Sequence, residues 1–277
     1  MSCLRSSRTL FFLFALALLL QEARSQGGPS ANTPPKISFA PLVDDFKRAV
    51  GSHFDMPSET LLDYVNLLSA ALLANSIQER SPKFVVLIDR NPEIQVLMLF
   101  WGTINNGWAL VGTSSISTGL PGRYEHFKTP LGVFDHSRKN PDFRAEGTKN
   151  KFGIHGYGDK GGRIYDFGWV KAPRGWGDGH MGELRLQMHS TDRDLLEQRL
   201  GTAQSEGCIR ITAELNEFLD FNGILDADYE SVVALGSQPW VLRRDRVPTP
   251  WSGRYIVVVE SAVSPRPHWA ERRQKYR

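Results

Sequence analysis

The spacing of apolar residues changes several times along the chain. An unbroken apolar run, Leu10 to Leu20, comes first, with Arg5 and Arg8 ahead of it. Residues 42–50 and 57–75 then read as helices. Pro57-Ser58-Glu59 opens the second, and Leu61, Leu62, Val65, Leu68 and Leu72 recur at helical spacing. From Lys83 the texture turns to strands: Phe84 to Asp89, a turn at Arg90-Asn91-Pro92-Glu93, and a hairpin partner from Ile94 to Trp101. Trp108–Val111 and Ser114–Thr118 give two more short extended pieces. Gly119 to Gly122 breaks the chain, and Thr129–Phe134 resumes it. Residues 153–182, rich in Gly, Trp, Tyr and His, read as loops. Leu184, Leu186 and Met188 then alternate with Arg185, Gln187 and His189, as in a half-buried strand.

Further on, Thr191-Asp192-Arg193-Asp194 offers a capping box for a helix from Leu195 to Leu200, closed by Gly201. Thr212 caps another, with Leu215, Phe218 and Leu219 on one face and Gly223 at its end. Residues 229–235 and 254–260 read as late strands. Short strands between Gly/Pro turns predict a mainly β fold, a barrel or sandwich with a few short helices and a helical N-terminal preface.

The first run has a basic n-region, an apolar core and the small residues Ala23 and Ser25, the features of a secretory signal cleaved after Ser25. It is short for a membrane span, although an uncleaved anchor is the other reading. The expected divisions are a signal at 1–25, a flexible leader at 26–41, a helical preface at 42–82, a catalytic domain at 83–262 and a basic, solvated tail at 263–277. Taking Arg5, Arg8, Arg24 and Glu22 from totals of 33 basic and 30 acidic residues leaves 30 and 29. A mature chain so close to neutrality gives no support to a nucleic-acid partner. Of two cysteines, Cys3 falls in the signal, so Cys208 is an unpaired thiol in an exported protein. Such a residue is an intermolecular link, a reactive thiol, or a buried apolar residue.

The neighbours of Cys208 favour reactivity. A thiol attacks as thiolate, and a histidine in reach can take its proton and hold an ion pair. His189 ends the alternating strand on its polar face. Gly207 allows a sharp turn that could aim amide N–H groups at an oxyanion. Arg210 could pin a substrate carboxylate or stiffen the loop as an internal salt bridge. His155 is a candidate groove residue, and His126 and His136 read as surface histidines.

His189 followed by Ser205-Glu206-Gly207-Cys208-Ile209-Arg210 resembles the signature of the L,D-transpeptidase (YkuD-type) catalytic domain. Ser117-Thr118-Gly119 and Thr129-Pro130-Leu131-Gly132-Val133-Phe134 resemble earlier segments of that family, in the same order. The resemblance implies an L,D-transpeptidase-like β fold and a cysteine acyl-enzyme that handles peptidoglycan stem peptides. It implies Cys208 as nucleophile, His189 as base, the Ser190 carbonyl as its orienter, and the Gly207 and Cys208 amides in an oxyanion hole. Arg210, His155 and Ser205 are expected at the substrate. No cofactor and no metal are expected, and a carbapenem is the expected covalent inhibitor. Glu206 stands where the family carries a second histidine, and Ser190 where a glycine is frequent. The acceptor is open: a stem amine, an envelope-protein lysine, a D-amino acid, or water in a carboxypeptidase- or amidase-like use.

Other classes fit less. A sortase-like enzyme needs wider spacing. A metallopeptidase using Asp178, His180, Glu183 and His189 lacks a paired-histidine motif. A non-catalytic peptidoglycan-binding module explains the aromatic loops but not the thiol.

Overall fold

The computed structural model describes residues 39–50, 54 and 56–271. The expected signal (1–25), the leader up to residue 38 and the last six residues of the tail lie outside them. Two helices come first, α1 (Ala40–Ala49) and α2 (Ser58–Ala74). β1 (Lys83–Asp89) and β2 (Val96–Thr103) then form the expected hairpin, with Phe84 opposite Trp101. β3 (Gly107–Ser115) is one strand where the sequence suggested two pieces, because Val111 is a bulged residue between two stretches of pairing. Gly112 beside it must be small: a Cβ there would lie 2.2 Å from the Phe46 ring of α1.

β4 (Gly132–Asp135) follows a long loop. β5 (Phe143–Arg144), β6 (Arg163–Pro173), β7 (Met181–Ser190) and β8 (Ile209–Ile211) make a second sheet in that order. α3 (Ala213–Phe221), α4 (Ala227–Val233) and β9 (Tyr255–Val259) complete the chain. β9 inserts parallel to β1, so the first sheet runs β3-β2-β1-β9-β4.

The two sheets face each other across one core. Phe84, Val86, Ile88, Leu97, Leu99 and Ile256 meet Tyr165, Phe167, Leu186, Met188, Ile209 and Ile211 there. The opposite face of the first sheet, with Val85, Leu87, Met98 and Val257, is covered by Tyr64, Leu68 and Leu72 of α2. β1 is therefore buried on both sides, which is why it reads as continuous apolar sequence rather than an alternation.

Several expectations are corrected. β6 crosses the segment read as loops; burial on both faces and the Gly168 kink erase its alternation. Residues 229–235 belong mostly to helix α4, which docks through Tyr229 rather than through the Val232-Val233 pair. The helix expected at 195–200 is only a 3-10 turn, Glu197–Arg199, although Asp192 Oδ1 accepts from the Leu195 amide as a cap. Leu62 is 60% exposed, since the buried stripe of α2 is set by Tyr64. The tail is packed as far as Ala270, with Trp269 against Phe54 and Tyr64. His136 is fully buried rather than on the surface, because Asp142 and the Leu225 carbonyl satisfy both its nitrogens.

Candidate active site

β7 and β8 lie side by side and parallel, Met188 opposite Ile209 and His189 opposite Arg210. Met188, Ile209 and Ile211 point into the core. By strand alternation Gln187, His189, Cys208 and Arg210 share the other face. The stretch around the thiol is thereby laid along the strand that carries the histidine.

The loop ahead of Cys208 is clamped from two distant segments. Ser117 and Arg210 exchange backbone hydrogen bonds of 2.9 and 2.8 Å, and the Ser205 amide donates to Thr118 O. Gln95, fully buried, in turn holds Thr118, accepting its amide at 2.8 Å. Thr129 Oγ1 donates to Gly207 O at 2.7 Å and accepts from the Gly119 amide at 2.9 Å. The Ser-Thr-Gly and Thr-Pro segments are therefore braces for the thiol loop. Gly207 has φ +131°, and a Cβ there would press to 2.9 Å on Leu184.

Ser205 is buried and turned inward. Its hydroxyl donates to Cys208 O at 2.5 Å and accepts the Gly207 amide at 3.1 Å. Two expectations change with it. Ser205 staples the loop and does not face a substrate, and the Gly207 amide is occupied. Of the two amides expected in an oxyanion hole, that of Cys208 is the one left.

His189 is 4% exposed, and its Nδ1 lies 2.6 Å from the carbonyl of Ser190. That contact fixes the proton on Nδ1 and leaves Nε2 as the acceptor. Burial, with the Arg210 charge adding to it against the Ser190 carbonyl, pushes the imidazole down to about 4. Burial likewise pushes the Cys208 thiol up to about 11, although the Gln187 amide and Arg210 oppose the shift. Both shifts favour the uncharged forms, a neutral thiol and a neutral imidazole. The S–H faces Arg185 O at 4.0 Å.

Around the pair stand residues that sequence reasoning missed. The Tyr157 ring lies 4.6 Å from the imidazole, and its hydroxyl donates to Gln187 Oε1 at 3.2 Å. Asp166, buried on β6, accepts from Gln187 Nε2 at 2.8 Å and Arg185 Nε at 2.7 Å. Gln187 was findable, being two residues before His189 on one strand face. Asp166 was not, since its strand read as loop.

The other candidates are placed as follows. His155 is tied by its amide, which donates to Asp192 Oδ2 at 2.9 Å. Arg210 donates to Gln204 O at 3.3 Å and, among the described residues, makes no ion pair. Glu206 is exposed and pairs with no cation there either. Asp178 and His180 face each other at 3.3 Å on an exposed loop, away from His189's partners.

Residues 85–247 match the family model of the L,D-transpeptidase catalytic domain, YkuD. No curated protein matches the chain.

Proposed function

The chain belongs to the L,D-transpeptidase catalytic domain family, and from that premise we propose an exported enzyme whose acyl-enzyme forms on Cys208. The family acts on peptidoglycan peptides. The substrate is then a stem peptide, attacked at its L-to-D bond. The observation that supports this reading is the parallel β7–β8 pairing, which sets His189 opposite Arg210, two residues past Cys208, with the histidine's Nδ1 held at 2.6 Å by a backbone carbonyl.

The chemistry follows from a neutral pair. As Sγ bonds to the scissile carbonyl carbon, the S–H proton passes to His189 Nε2, so the thiolate is generated only with substrate present. The Cys208 amide donates to the oxyanion. The leaving D-residue takes the proton from Nε2 as the C–N bond breaks, leaving a thioester. An acceptor amine then forms the new C–N bond and releases the thiol. Export is supported by the basic and apolar leader.

The test is covalent labelling. A carbapenem should acylate the mature protein, its β-lactam C–N bond opening as the S–C bond forms, visible by intact mass. Cys208→Ala should abolish the adduct. A reduced, folded protein that gains no mass overturns the reading.

A further inference from the structure

Tyr157, on the loop between β5 and β6, lays its ring on the imidazole of His189, the centroids 4.6 Å apart and the planes tilted by 57°. Phe143 of β5 meets the tyrosine ring edge-on at 6.1 Å. Ser190 Oγ donates to the Tyr157 carbonyl at 3.4 Å, which ties the loop to the residue after the histidine. The tyrosine is 44% exposed and the histidine behind it 4%.

A chain of hydrogen bonds runs from the tyrosine into the fold. Its hydroxyl donates to Gln187 Oε1 at 3.2 Å, and Gln187 Nε2 donates to Asp166 Oδ2 at 2.8 Å. Gln187 is nearly buried and Asp166 fully so. Asp166 sets the direction of the chain. A carboxylate only accepts, so the donating end of the glutamine amide must face it and the accepting end is left for Tyr157. Asp166 is held in turn by Arg185 Nε at 2.7 Å and the Gly168 amide at 2.8 Å. Burial, with Cys208, Asp166 and Glu206 adding to it against Arg185, raises the Tyr157 pKa, so the hydroxyl keeps the proton it donates. The backbone amide of the same Gln187 hydrogen-bonds the Cys208 sulfur.

We propose that Tyr157 is a positioning residue for the base: Gln187, oriented by Asp166, pins its ring on the imidazole, where it keeps water off His189 and resists rotation of the ring. The inference rests on the Cys208–His189 reading. The Ser190 carbonyl holds the imidazole by one nitrogen, and a single hydrogen bond leaves it free to pivot. A ring laid on its face removes that freedom. The charged and titratable groups about this stack are Arg210 on β8, Cys208 and Glu206 in the thiol loop, Asp166 on β6 and Arg185 on β7. Burial is the largest cause of the low imidazole pKa, so uncovering the ring should raise it.

The experiment follows acylation of the mature chain by a carbapenem across pH, read by intact mass. A general base works in its neutral form, so the rate falls below the imidazole pKa, near pH 4 in the native protein. Tyr157→Ala should move that acid limb up by about one pH unit or more, towards the ordinary value of about 6.5. Tyr157→Phe keeps the ring and loses the hydrogen bond. Its limb should stay low while the rate at neutral pH drops about fivefold, the worth of one neutral hydrogen bond. Gln187→Met should do the same, and the double variant should be no slower than the slower single, because both break one chain. An unmoved limb in Tyr157→Ala, or losses that multiply in the double variant, overturns the proposal. NMR titration of the His189 imidazole in the unacylated protein separates this from failure of the reaction reading. If Cys208 takes no adduct but Tyr157→Ala raises that titration, the cover stands and the reaction assignment falls. If the titration is the same in both proteins, the cover falls.

Discussion

Two histidines are buried among the described residues, and their surroundings shift them in opposite directions. His136 has Nδ1 2.8 Å from Leu225 O and Nε2 2.9 Å from both oxygens of Asp142. Burial alone would lower its pKa, but the charge and hydrogen bonds of Asp142 outweigh it and the net shift is upward. His189 is offered only a carbonyl, which orients the ring without neutralising a charge, and so burial prevails. The partner, not the depth, decides which form is kept.

The wider settings differ in the same way. Around His136 the charges are closed on themselves. Arg163, fully buried, donates to Asp142 at 2.7 Å, to Asp226 at 2.7 and 2.9 Å and to Asp220 at 3.2 Å. The rings of Tyr165 and Tyr229 lie 5.0 and 5.1 Å from its guanidinium. Around His189 the polar groups are left open: a thiol, a free Nε2 and an arginine without an acid. One cluster is closed on itself, and the other holds the groups that the proposed chemistry uses. β6 joins them, since it carries Arg163 into the first and Asp166 behind the second.

Three experiments press on that contrast. The largest effect is expected from His189→Gln, which should slow acylation of Cys208 by roughly 10²- to 10⁴-fold, the usual worth of a general base, as read by single-turnover mass spectrometry. A loss under tenfold would mean that His189 is not the proton acceptor. Next comes Arg163→Met, which leaves three buried carboxylates short of a cation. It should cost about 3–5 kcal/mol in urea unfolding, a penalty typical of a broken buried ion pair. A near-neutral result would deny the network its structural role.

The smallest effect is in the pH dependence of stability, and there the two histidines should pull apart. His189, depressed to about 4 when folded, takes up a proton in the unfolded chain first. Its contribution therefore falls as pH drops from about 6.5 towards 4, with a slope of up to about 1.4 kcal/mol per pH unit. His136 is raised, so its stabilisation is fully present below about 6.5 and is lost as pH rises through its folded value. Unfolding midpoints across pH should show the acid-side loss lessened in His189→Gln and the alkaline-side loss lessened in Asp142→Asn. Identical profiles for the two variants would refute the assignment of charge states.

Much of the candidate site was legible because it is local. Cys208, Gly207 and Arg210 are one stretch, and His189 is separated from it by a single excursion between adjacent parallel strands. The hairpin of β1 and β2 and the Thr212-capped helix were legible for the same reason, as each is specified by neighbours in sequence. What stayed hidden depends on distant partners. Asp166 and Arg163 lie on β6, whose two buried faces carry no period-2 signal. His136 looked superficial because its carboxylate and carbonyl partners come from a loop and from beyond the end of α3. Ser205 read as a substrate contact because nothing in sequence says that its hydroxyl turns back on Cys208 O.

β9 carries a consequence for how the chain is made. It occupies a place inside the first sheet, between β1 and β4, and the pairing of Arg90 with Glu260 beside it spans 170 positions. Until that strand emerges, the sheet is two fragments with bare edges, and the core it shares with the second sheet lacks Ile256 and Val258. The first sheet is complete only once residues 255–259 are available, and pairing between segments so far apart in sequence is slow to form.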